Sequence, residues 1–124
     1  MSPTDAKLES SPASVREARR FVRQSLQARH IRDDVTATVE LLTSEVVTNA
    51  IVHAGTPCEL AVAIQPDRVR VEVLDASGAI PIRIQGPVDA ISGRGLQIVE
   101  RLALRWGCER RSRAGKRVWF EVAR

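Results

Sequence analysis

Cysteine is scarce in this sequence. Cys58 and Cys108 are the only two in 124 residues. They form no CxxC pair and have no histidine cluster beside them, which excludes a disulfide framework and a zinc site of the usual spacing. Two free thiols fit a reducing cytoplasm. Aromatic residues amount to 3% of the chain, and none interleaves with the arginines of residues 16–32, so the stacking platform of a single-strand nucleic-acid binder is missing. No apolar run approaches the roughly 20 residues of a membrane span. The polar stretch Met1 to Ser14, with Pro3 and Pro12, lacks the basic-then-apolar order of a signal peptide. The expectation is a cytoplasmic protein that touches neither membrane nor nucleic acid directly.

What is present argues for one folded domain. Apolar residues make up 44% of the sequence and are spread along it, and a chain of this length buries a core without staples. Residues 1–13 read as a flexible lead and 14–124 as the domain. The net charge of +4 is nearly all arginine, grouped in residues 16–32 and 101–117, as expected of a surface that faces solvent, protein or phosphate.

Ser14-Val15-Arg16-Glu17 has the form of a capping box. It predicts a helix over about 15–28, with Val15, Ala18, Val22 and Leu26 on one face and Arg16, Arg20 and Arg23 on another. Asp33 and Asp34 offer an N-cap to a second helix carrying Val35, Val39, Leu42, Val46, Asn49 and His53 at the same period, closed by Gly55. Two alternating runs, Cys58 to Ile64 and Val69 to Val73, flank Pro66-Asp67 and read as an antiparallel hairpin. From Asp75 to Gly93 no period is sustained, and a loop of that length inside a small domain is usually functional. Leu96, Val99, Leu102 and Ala103 mark a third helix, followed by strands near 106–112 and 117–123 that turn at Ala114-Gly115. This order predicts an α+β fold. Three main helices pack on one face of a mostly antiparallel sheet of four or five strands, in a two-layer α/β sandwich.

Glu45 and Asn49, four apart, share one face of the second helix. A carboxylate can take a proton from an attacking hydroxyl, and an amide oxygen is a hard ligand for Mg²⁺ that adds no charge beside a triphosphate. A solvated helix edge explains such a pair equally well. Asp75 ends a valine strand before Ser77 and Gly78, where an acid could accept the exocyclic amine of adenine while glycine lets the ring approach. A turn-forming Asp-Gly stretch is the plainer alternative. Ser92-Gly93-Arg94-Gly95-Leu96 precedes a helix, so its backbone N–H groups and Arg94 could hold phosphate oxygens. A helix-entry turn needs no such role.

The ordered combination carries more than its parts. Glu45-Val46-Val47-Thr48-Asn49-Ala50 with His53, then Asp75 with Gly78, then Gly93-Arg94-Gly95-Leu96, resembles the N, G1 and G2 boxes of the GHKL ATPase superfamily. The resemblance spans about residue 15 to the end. It is closest to the anti-sigma factor serine/threonine kinases, through Ala18-Arg19-Arg20-Phe21-Val22 and Val118-Trp119-Phe120-Glu121. It implies a Bergerat ATP-binding fold, with ATP and Mg²⁺ as cofactors. Glu45 would be the catalytic base and Asn49 the metal ligand. Asp75 would read adenine and Gly78 permit its approach. Gly93, Arg94, Gly95 and Leu96 would belong to the phosphate lid, and His53 would accompany the N box. The sequence departs from the wider pattern at Ser77 and Ala79, which replace glycines, and at Gly115-Lys116-Arg117-Val118, where Arg117 stands for a threonine that supports adenine.

The resemblance implies a protein kinase that binds a sigma factor, phosphorylates an anti-anti-sigma antagonist and forms a homodimer. The altered adenine side favours a competing expectation, a non-catalytic, nucleotide-dependent protein-binding module. The ATPase half of a histidine kinase is a third class. No helical hairpin with a phosphoacceptor histidine precedes the domain, and His30 and His53 are accounted for inside it.

Overall fold

The computed structural model describes residues 4–55, 57–75, 93–110 and 115–124. The elements are β1 (Thr4–Leu8), α1 (Ala13–Ala28), α2 (Asp33–Thr48), a π-helical segment (Asn49–Ala54), β2 (Cys58–Ile64), β3 (Arg68–Asp75), α3 (Gly93–Leu102), β4 (Arg105–Arg110) and β5 (Lys116–Ala123). The five strands form one open sheet in the order β1-β2-β3-β5-β4, with every neighbouring pair antiparallel. The fold is α+β, as the sequence predicts.

Two-residue periodicity sorts each strand. Leu60 and Val62 of β2, Val69, Val71 and Val73 of β3, and Val118, Phe120 and Val122 of β5 form one buried face. The helices cover that face. Ala18, Val22 and Leu26 of α1 and Val39, Leu42 and Val46 of α2 are buried in the same core, as is Val99 of α3. Phe120 is the largest side chain that is fully buried. No helix among the described residues is long and apolar enough to cross a membrane.

Four expectations need correction. Residues 4–8, expected to lie in a flexible lead, form the edge strand β1, pairing from Thr4↔Val62 to Leu8↔Cys58 and burying Leu8. The alternation there is too short to stand out against the prolines and serines around it. The capping box does not form. Helix α1 begins at Ala13, and the buried Ser14 hydroxyl donates to the Glu9 carbonyl at 2.6 Å, tying the helix back to the segment that follows β1. The second helix is not uniform either. α2 stops at Thr48, and the chain continues as a π-helical segment to Gly55, whose φ of 66° supplies the left-handed ending. The third helix starts at Gly93, earlier than its apolar period indicates. Ser77, Gly78, Ala79 and the remainder of residues 76–92 lie outside the described residues.

The opposite face of the sheet is polar and tightly paired. Glu121 is buried, and its carboxylate accepts from Arg68 Nη1 at 3.1 Å, Arg70 Nη1 at 3.0 Å and Arg105 Nη2 at 2.7 Å. The register explains the convergence, because Arg105↔Glu121 and Arg70↔Glu121 are cross-strand partners. Arg70 also stacks 4.2 Å over the Trp119 ring. That ring lies across Gly107, where an added Cβ would meet its Nε1 at 2.8 Å.

Two stability predictions follow from this face. Burial alone would raise the Glu121 carboxyl, but hydrogen bonds from Arg105, Arg70 and Arg68 outweigh it and hold the group below its ordinary value of 4.5. A depressed carboxylate contributes stability above that value and loses it as pH falls through the folded one. Glu121→Gln should therefore cost about 2 kcal/mol near neutrality, and the gap from wild type should narrow progressively as pH falls below 4.5. Urea melts of both proteins across pH check this, and a gap that stays constant contradicts it. Gly107→Ala should cost about 1–3 kcal/mol through displacement of the indole, read as a lower urea midpoint with an unchanged slope.

Candidate functional site

Glu45 and Asn49 lie one turn apart along the edge of α2. Both are half-buried, while Val46, Val47 and Ala50 between and beside them are buried and fix the helix rotation. α2 packs against α3, β5 and β3, and the π-helical segment packs against β3. α2 with its continuation therefore touches both β3 and α3, the elements that carry the other two predicted motif regions. Gly93, Arg94, Gly95 and Leu96 form that first turn. The side chain of His53, inside the π-helical segment, lies outside the described residues, as does Gly78.

The π-helical segment begins at Asn49 itself. Its wide i→i+5 pattern is seen where Gly55 N–H donates to the Ala50 carbonyl at 3.1 Å, and such widened turns occur mostly at functional sites. The side chain of Asn49 is under-satisfied. Its Nδ2 is buried and has no hydrogen-bond partner among the described residues. Buried amide groups are nearly always paired, so an orphan marks a place for an absent ligand, ion or water. Nitrogen and oxygen of an amide exchange by a half-turn, and that turn would point the carbonyl oxygen into the same position. The group thus fits a Mg²⁺ ligand. Among the described residues no group of three or more His, Cys, Asp and Glu could hold a metal.

Asp75 closes the inward row of β3 below the valines. Its side chain is 1% exposed, and its Oδ2 lies 3.0 Å from Nζ of Lys116, whose side chain is 6% exposed. The register makes the contact inevitable, since Asp75 pairs with Lys116 on one side and with Cys58 on the other. Burial, helped by the Asp75 charge, pushes the Cys58 thiol up to about 11, so it stays protonated and inert. Burial likewise raises Cys108.

This register corrects the reading of the last hairpin. Arg117 pairs with Leu74 and points to the opposite face, where its Nε is 3.9 Å from Glu72 Oε1. Lys116, not Arg117, is the residue that reaches Asp75. The sequence held the signal. Val118, Phe120 and Val122 alternate inward, and extending that row by two residues places Lys116 on the core side.

Comparison with known proteins agrees with the fold. The fold is similar to that of the chain containing the RsbU and RsbW domains of Rv1364c from Mycobacterium tuberculosis, with a TM-score of 0.76 and 20% identity over 100% of this chain. This chain spans 33% of that one. It is also similar to the SiaB-SiaC complex from Pseudomonas aeruginosa, with a TM-score of 0.71 and 14% identity, covering 96% of this chain and 88% of that chain. The catalytic domain of histidine kinase ThkA superposes with a TM-score of 0.57 and 20% identity, covering 99% and 96% of the two chains. A search of the curated proteins finds no match. Residues 8–122 match the family model described as the histidine kinase-like ATPase domain, and the chain belongs to that family, within the GHKL superfamily.

Proposed function

We propose that this protein is an ATP-binding regulator, a serine/threonine protein kinase of the anti-sigma factor type that binds a sigma factor and phosphorylates an anti-anti-sigma antagonist. The observation that carries the reading is the orphaned amide of Asn49, one turn from Glu45, at the start of a widened helical turn. In this reading Asn49 turns its carbonyl oxygen to Mg²⁺. Asp75 accepts the adenine amine, and Gly78 permits the ring's approach. The N–H groups of Gly93, Arg94 and Gly95, with Leu96 behind them, meet the phosphates at the helix N-terminus. His53 borders the same turn.

Glu45 takes the proton from the hydroxyl of a partner's serine as its oxygen attacks the terminal phosphorus, and ADP leaves with the electrons of the cleaved bond. Mg²⁺ held by Asn49 would supply positive charge that offsets that of the phosphates. Placement and electrostatics supply most of what phosphoryl transfer requires. A protein partner is supported by two features. Arg16, Arg19 and Arg20 are exposed along α1, and SiaB, of similar fold, forms a complex with SiaC. A symmetric dimer completes the reading.

One observation favours a second reading, a non-catalytic nucleotide-dependent binding module. The Asp75 carboxylate is held in a buried ion pair rather than left to the base alone.

Phosphotransfer from labelled ATP to candidate antagonists separates the two. The kinase reading predicts transfer that falls about 10²-fold or more in Glu45→Ala, and Asn49→Ala should need far higher Mg²⁺ for the same rate. Nucleotide binding without transfer, unchanged in Glu45→Ala, supports the binding module. Failure of the wild type to bind ATP or ADP in calorimetry, with and without Mg²⁺, defeats both.

A further inference from the structure

Lys116 stands where the adenine site is expected, and neither the motif pattern nor the family assigns it a role. The residue is buried, and the only ion-pair partner of its ammonium group among the described residues is Oδ2 of Asp75, at 3.0 Å. An ammonium group has three N–H donors. One contact leaves two unfilled in a site that water scarcely reaches, and that is costly unless something else accepts from them. The ion pair meets the buried Asp75 charge, which would be costly to leave alone, but it does not account for the spare donors of the ammonium group.

We infer that Lys116 reads the purine ring directly, donating a hydrogen bond to N1 of adenine while Asp75 accepts from the neighbouring 6-amino group. The inference rests on the ATP-binding reading given above. Adjacent atoms of the adenine edge are a donor, the amine, and an acceptor, N1. The Asp75–Lys116 pair offers an acceptor and a donor side by side, held by strand register. Guanine carries a hydrogen on N1, so there the ammonium would face a donor. A threonine hydroxyl can serve either sense, whereas an ammonium only donates. Lys116 therefore makes the site selective for an unprotonated N1 beside a 6-amino group.

The test compares binding of ATP with that of 1-deaza-ATP, which keeps the amine and replaces N1 with a C–H. Calorimetry on the full chain with Mg²⁺ should give wild-type affinity about tenfold higher for ATP. Lys116→Met should bind the two nucleotides within about twofold of each other, and Lys116→Gln, which keeps a donor without the charge, should retain a preference for ATP. Thermal melts establish that each variant is folded, and the wild-type comparison stands without any variant. Equal wild-type affinity for the two nucleotides overturns the inference while leaving ATP binding intact. So does a tenfold preference that survives in Lys116→Met. If the wild type binds neither nucleotide, the ATP-binding reading fails and this inference fails with it.

Discussion

The alternation of β3 is the constraint on which the other parts depend. Val69, Val71 and Val73 point into the core in succession, and the next inward position is Asp75. A strand has no freedom to redirect one residue without a bulge, so the register that buries the valines also buries the carboxylate. The same register delivers Cys58 from β2 and Lys116 from β5 to its two sides. Apolar packing and the polar end of the site are therefore one structure. Shifting β3 by a single residue would expose the core and dismantle the Asp75–Lys116 pair together.

The two faces of the sheet solve the problem of buried charge differently. On the helix side, the Lys116 ammonium meets the Asp75 carboxylate with donors to spare. On the far side, the buried Glu121 is saturated by Arg68, Arg70 and Arg105, and Arg70 is further placed by Glu72 and the Trp119 ring. The Glu121 cluster is saturated with donors, whereas the Lys116 ammonium keeps donors beyond its ion pair. The distinction rests on counting donors and acceptors, not on the presence of charge.

Most of the fold was legible because it depends on period. The stripe Ala18, Val22, Leu26 and the alternations in β2, β3 and β5 are physical requirements of burial, and each appears in the structure where its spacing places it. What escaped was decided by contacts across the chain. β1 is a strand only because β2 offers it an edge, and Ser14 abandons its capping role because the Glu9 carbonyl is closer to hand. The change to a π-helical segment at Asn49 has no signature in the apolar period. The shared face of Glu45 and Asn49, one turn apart, was readable from their i, i+4 spacing. Lys116 was overlooked although the inward row of β5 pointed to it, because the family pattern drew attention to its neighbour Arg117.

The proposed function requires a nucleotide between the α2 edge and the end of β3. Amide NMR of the chain during titration with Mg-ATP tests it most directly. The account predicts saturable shifts concentrated at Glu45, the Asn49–Ala54 segment, Asp75 and the start of α3, together with the Asn49 side-chain amide. Shifts confined to the Glu121 face, or no saturable shift at any residue, would contradict it.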